Sequence, residues 1–245
     1  MLEIKLSNGW EIGDPEARIR DYCNVEVYSG YDDRHDISDT ITRDTIIAAN
    51  RIFARISGAT GQRMMLSESI RERLRSIQNK DLGEIPDDEW TSRRGNLRAL
   101  LSDACSLDGV RIAVATKVLH LKRPKLIPIL DAFVVRFLVG IDTANVAQKE
   151  RLIDIACDAI DMIRADLATN RAAFSALQRS LSDLPILFEN VRLYDILIWS
   201  TEKWDVREDP RAIYGTPETA GKRRPRPSTP TTRRASDNGD LTDAP

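Results

Sequence analysis

The chain is poor in the residues from which metal and redox centres are built. Among its 245 residues there are two histidines and three cysteines. Cys23, Cys105 and Cys157 stand far apart with no paired spacing, which argues against a zinc or iron–sulfur site and for a reducing, cytoplasmic setting. Two histidines exclude a His-based metal cluster, and His35 lies in YDDRHD (31–36), an acidic stretch that reads as a solvated loop. Long apolar runs are missing as well. None approaches the roughly 18–20 residues that span a bilayer, and charges break up the N-terminal MLEIKLSNGWEIG too often for a signal peptide. No Gly-rich phosphate loop, dinucleotide fingerprint or nucleophile elbow is present. Neither a metal nor another cofactor is therefore expected, and no membrane partner.

What is present has the balance of a globular protein, with 42% hydrophobic and 30% charged residues. The chain is long enough for one good-sized core, or two lobes around a cleft. The net charge of −2 hides an uneven distribution. Residues 221–235 (GKRRPRPSTPTTRRA) hold six bases and no acid, so the remainder sums to −2 − 6 = −8. Within that acidic remainder, residues 93–126 hold eight bases against Asp103 and Asp108, a local excess of 8 − 2 = +6. Arg93, Arg94, Arg98, Arg111, Lys117, Lys122, Arg123 and Lys125 read as a cationic face.

The apolar spacing predicts a mainly α fold with a small N-terminal β element over residues 1–30, a helical domain over 31–206 and a disordered basic tail over 207–245. LEIKL and WEI alternate around Ser7-Asn8-Gly9, a hairpin signal, and NVEVYSG (24–30) reads as a second extended piece. A helix is expected after Thr40 or Thr42, broken by GATGQ (58–62). Others are expected over 67–79 behind Ser67, from Asp87 or Asp88 to about 105, from near Arg111, over 132–140, 146–168 and 187–204. The acidic set Asp32, Asp33, Asp36 and Asp39 reads as a solvated loop, its spacing matching no cation-binding loop. Trp199 reads as core, and Trp10, Trp90 and Trp204 as candidate stacking groups; Asp195 is an interior anchor or an exposed residue.

The most informative stretch is LDGVRIAVATKVLHLKRPKLIPILD, 107–131. One helix ends at Leu107-Asp108-Gly109-Val110, and the next begins near Arg111. Gly109 supplies the positive φ of a tight interhelical turn. The first amides of the second helix then point outward, where the helix dipole favours an anion. Twenty-two positions beyond Gly109 (131 − 109), Asp131 emerges from an apolar approach to head the next helix.

That combination, with Arg136 five residues on, resembles the helix-hairpin-helix DNA glycosylase superfamily over about residues 88–138, with the hairpin at 93–121. The resemblance implies a glycosylase-like helical bundle acting on DNA in base excision repair. It implies a phosphate held at Gly109, Val110, Arg111 and Ala113, and Asp131 as the catalytic carboxylate. Arg93, Arg94, Lys117, Lys122, Arg123 and Lys125 would contact the DNA backbone. The lysine with which bifunctional members form a Schiff base falls at Ala113, which implies a monofunctional enzyme; Lys117 lies one turn further on. Asp108 and Arg111 depart from the hairpin's usual Pro and Gly, and point instead towards a catalytically silent relative that binds DNA or a protein, or towards a helical scaffold with no nucleic-acid role.

Overall fold

A computed structural model of the protein describes residues 2–24 and 30–208, with backbone only at the last seven of these. Strands β1 (Ile4–Lys5) and β2 (Glu11–Ile12) pair antiparallel, with Ile4 opposite Ile12. Alternation puts both isoleucines on one face, and that face is buried. Ten α-helices follow among the described residues: α1 (Pro15–Cys23), α2 (Arg43–Arg51), α3 (Gly58–Leu66), α4 (Glu68–Ser76), α5 (Asp87–Ser106), α6 (Ile112–Lys122), α7 (Ala132–Val139), α8 (Lys149–Thr169), α9 (Arg171–Ser180) and α10 (Asn190–Glu208). The protein is mainly helical with one two-stranded sheet, as its periodicity predicts. No helix among the described residues is long and apolar enough to cross a membrane.

Helix α8 is the central strut. It buries Leu152, Ile155, Ala156, Ala159, Ile160 and Ile163 over a wide face and packs on α5, α6, α7, α9 and α10. Helix α10 is apolar almost all round from Val191 to Ile198 and lies against α1, α7 and α8. The hairpin isoleucines share this one core, so the β element is not a separate unit.

Several expectations need correction. Residues 15–23 are helical, not part of a β element: Pro15 sits in the first turn, and Ile19 and Tyr22 face inward three apart. GATGQ does not break a helix but begins α3, because the Ser57 hydroxyl caps the Thr60 amide at 3.2 Å. Gly61 lies within this helix, at a place where an added Cβ would lie 3.2 Å from the Ile46 side chain. Thr42, rather than Thr40, caps α2 through a reciprocal bond pair with Thr45. Neither Asp87 nor Asp88 caps α5; Pro86 occupies the cap, and both acids lie in the first turn, where they favour the dipole. Residues 25–29 of the expected extended piece, the tail from 209 onward and the side chain of Trp204 lie outside the described residues.

The basic strip is also redrawn. Lys122 is fully buried, its Nζ donating to Asp36 Oδ2 at 2.6 Å and Ser38 Oγ at 3.0 Å. Arg123 is buried too, bonded to Asp39 and the Ile77 and Leu74 carbonyls. Neither can reach a DNA backbone. Arg94 is held by Asp161 and Asp158, Arg98 by Asp154, Arg93 by Glu89 and Gln78, while Lys125 lies 3.8 Å from Glu189. The acidic loop, expected to be solvated, supplies the partners of the buried cations.

Its first member goes deepest. Asp32 is buried against Arg192, with Nε donating to Oδ1 at 2.6 Å, and accepts the Tyr22 hydroxyl at 2.7 Å. The same guanidinium donates to Asp195 Oδ1 at 2.5 Å. Asp195 is thus an interior anchor, and Arg192 ties α10 to α1 and to the segment at 30–33. Replacing Arg192 by Met is expected to destabilise the fold by about 3–5 kcal/mol, because two buried carboxylates lose their counter-charge. Urea denaturation measures this, and a loss under about 1 kcal/mol would contradict the role given to the network.

Candidate functional site

Helices α5 and α6 form the expected hairpin. Gly109 has φ +80, and the Val110 amide donates to the Leu107 carbonyl at 3.1 Å. The turn is docked on α3: the Asp108 carbonyl accepts from the Thr60 hydroxyl at 3.3 Å and from Arg63 at 3.0 Å. A Cβ on Gly109 would come within 3.0 Å of the Thr60 oxygen, so both conformation and space call for glycine. Arg111 is exposed and extended at the head of α6, where no side chain caps the helix. The first-turn amides, including that of the half-buried Ala113, have no intrahelical acceptor.

The approach to Asp131 is pinned at successive residues. His120 Nδ1 donates to the Ile127 carbonyl at 2.7 Å, Asp195 Oδ2 accepts the Ile129 amide at 3.2 Å, and Thr116 Oγ1 accepts the Leu130 amide at 3.1 Å. Thr116 can do so because its own proton goes to the Ile112 carbonyl. Asp131 then caps α7, accepting the Val134 amide on Oδ1 at 2.8 Å. Capping leaves its other oxygen available.

Asp131 borders two depressions. One, of about 230 Å³, also takes in Arg111, Ile112 and Ala113, so the carboxylate and the uncapped helix start open onto common space. The other, of about 280 Å³, has aromatic walls from Tyr22, Phe53 and Trp199 and polar groups from Lys117, Arg192 and Asp195. Trp199 therefore lines a cleft rather than lying wholly in the core. Trp90 is a core residue whose indole nitrogen donates to Asp161 at 2.7 Å, and Trp10 packs on Phe137.

The polar groups of this cleft are electrostatically unusual. Burial pushes the Asp195 carboxyl up to about 7 against the pull of Arg192. One guanidinium serves two interior carboxylates, so a proton on Asp195 relieves the surplus negative charge. Lys117 is half-buried, and its Nζ donates to the Ile52 carbonyl at 2.7 Å. Burial holds it below the usual lysine range, with Arg192 and Arg55 adding to the effect and Asp131 and Asp195 opposing it.

Sequence reasoning missed the cleft's rim. Residues 52–56 form a rigid projection, because the Asn50 side chain accepts the Ile56 amide at 2.7 Å and donates to the Ile56 carbonyl at 3.1 Å. Phe53 and Arg55 both have left-handed backbones, φ 61 and 54, and the Phe53 ring is 62% exposed at the cleft mouth. Non-glycine residues at positive φ are uncommon enough to suggest a functional constraint. Arg55 is exposed and has no hydrogen-bond or acidic partner among the described residues, while Arg63 and Arg111 bond only neutral oxygens. Near the hairpin and cleft these three arginines, with Lys117 and the exposed Lys149, have no carboxylate partner among the described residues, whereas the strip along α5 is ion-paired.

Comparison with known families places these features together. The model of a family of unknown function, DUF6308, matches residues 14–202. The chain belongs to DUF6308. The match runs from the lead-in to α1 into α10, so the whole of the aromatic cleft, the hairpin and Asp131 fall within the DUF6308 region, whereas the β-hairpin precedes it. No curated protein and no solved structure matches the chain.

The two histidines of this DUF6308 chain lie together behind the cleft, their ring centroids 5.6 Å apart, with Tyr31 stacked on His120. His35 is half-buried, not solvated, and both Nε2 atoms are buried without a partner. Burial holds both imidazoles below their ordinary value. The unfolded chain therefore takes up protons first as pH falls below about 6.5, and the folded state loses ground. Between about pH 6.5 and pH 5 His120 is expected to remove up to about 1.4 kcal/mol of stability per pH unit, while Asp195, whose carboxyl is raised to about 7, takes up a proton in the folded state and acts in the opposite direction. Denaturant midpoints of wild type and His120→Asn at pH 7, 6 and 5 measure this. An equal pH slope in both proteins would remove His120 as its source.

Proposed function

We propose that the chain acts on DNA as an N-glycosylase of base repair, with Asp131 as the carboxylate at the reacting sugar. The observation carrying this reading is the position of Asp131, shared between a depression at the uncapped start of α6 and an aromatic-walled cleft. The roles follow from chemistry. A phosphate approaches Gly109 and the first amides of α6, through Arg111 and Ala113. A nucleotide leaves the duplex, at a cost of a few kcal/mol, and its base enters between Tyr22, Trp199 and Phe53. Positive charge develops on the sugar as the base departs. The Asp131 carboxylate stabilises it or orients the attacking water. Asp195 lines the same cleft, but one of its oxygens is held by Arg192 and the other by the Ile129 amide, so water is the proton source for the leaving base. Arg55, Arg63 and Arg111 replace the strip as candidate backbone contacts. Free Cys23, Cys105 and Cys157 accord with a cytoplasmic setting for this activity.

A second reading, a silent relative that binds DNA or a protein partner without cleaving, draws on the exposed Asp108 beside Gly109 and on the ion-paired strip. Duplexes carrying uracil, alkylated purines or oxidised guanine separate the two. The enzyme reading expects release of at least one of these bases, reduced about 100-fold or more in Asp131→Asn. Duplex binding with no release by either protein would instead establish the silent relative.

A further inference from the structure

Beside the hairpin turn a cavity of about 360 Å³ opens between α5, the head of α6, the short 3₁₀ turn Thr143–Asn145 and the head of α8. It shares no lining residue with the aromatic cleft. Its floor is apolar, with Val110, Ile112 and Leu152 buried there beside the Cys105 thiol. Its charges are of one sign: Arg111 and Lys149 line it, and no acid does. Arg111 donates to the neutral Thr143 carbonyl at 3.4 Å, and Lys149 has no hydrogen-bond or carboxylate partner among the described residues. The ammonium nevertheless acts on the floor. Burial pushes the Cys105 thiol up to about 11, and the charge of Lys149 opposes that rise.

Two cations without an acid, over a hollow walled by aliphatic carbon, complement one kind of molecule: a negative charge on an apolar body. The cations attract the charge. The walls take methylenes out of water, each worth about fourfold in affinity. A bare phosphate would leave the apolar floor unfilled, and a neutral apolar molecule would leave both cations unmatched. With about 30 Å³ for a water-sized group, the volume takes roughly ten non-hydrogen atoms.

We propose that this cavity binds a small aliphatic carboxylic acid, with its carboxylate at Arg111 and Lys149 and its chain over Val110, Ile112 and Leu152. The site does not rest on the glycosylase reading, although both use Arg111. Charge and chain make separate demands. Shortening the acid weakens its contact with the floor and leaves the ion pairing unchanged, whereas removing a cation does the reverse.

Isothermal titration of the full chain with butanoate, hexanoate and octanoate at pH 7 tests this, with octanol and octylammonium as controls. Octanoate is expected to bind with a dissociation constant in the millimolar range or tighter. It should bind about tenfold more tightly than either control, the worth of a charge-assisted contact. Along the acid series affinity should rise about fourfold per methylene. Lys149→Gln, a change at an exposed side chain, should weaken octanoate about fivefold or more. Lys117→Gln, in the aromatic cleft, should leave its affinity unchanged, and thermal melting checks that both variants fold. No detectable octanoate binding, octanol binding as tightly as octanoate, or an affinity independent of chain length overturns the inference. So does octanoate binding that survives Lys149→Gln and is lost in Lys117→Gln, which would place the acid in the aromatic cleft instead. Base release in the duplex panel is unaffected by any of these results, so the two readings fail separately.

Discussion

Arg192 holds the molecule together by neutralising charge where water cannot. A carboxylate left alone in the interior costs several kcal/mol, and here Asp32 and Asp195 both contact the one guanidinium. Its face is covered by Tyr22 and Tyr31, whose ring centroids lie 5.2 and 5.4 Å from its carbon. This arrangement draws α1, the segment at 30–33 and α10 to one point. Asp195 extends it by accepting the Ile129 amide, so the backbone leading to Asp131 is held by the same network. The cleft is open on one side of this cluster and the core closes on the other, which places the strongest interior electrostatics against the proposed reaction site.

A consequence follows for how such a protein would meet a polyanion. Ion pairing takes up most of the positive charge that is dense along residues 93–126, Arg111 and Lys117 excepted: α8 presents Asp154, Asp158 and Asp161 at spacings of four and three, opposite Arg98 and Arg94. Ion-paired cations release few counterions, so this strip would contribute little to the salt dependence of any DNA affinity. Recognition would then depend on the uncapped start of α6 and on what the aromatic walls accept more than on a charged surface.

The fold was largely legible. Ser67 before SESIRERL, the Asn8-Gly9 turn and the stripe of α8 each act through neighbours a few residues away, and each element forms where those signals put it. Misreadings share a cause. GATGQ has poor helix propensity, yet Ser57 caps it and the close approach of Ile46 rewards a glycine at 61. Residues 15–23 are short and mostly polar, so Ile19 and Tyr22 give too little period to be noticed until α10 provides a surface for them. The hairpin and Asp131 were visible because turn chemistry and spacing are local. The cleft was not, because its walls come from residues 22, 53, 117, 131, 195 and 199.

By itself, then, the order of residues determined where helices begin, which faces turn inward, and that a glycine turn precedes a capping aspartate. These properties depend on dihedral preferences and on contacts within one or two turns of chain. Only the tertiary structure decided which charges remain available, since an ion pair such as Lys122 with Asp36 joins residues 86 apart and carries no local signature. The same holds for Lys117, whose Nζ is held in the aromatic cleft by the Ile52 carbonyl, 65 residues away.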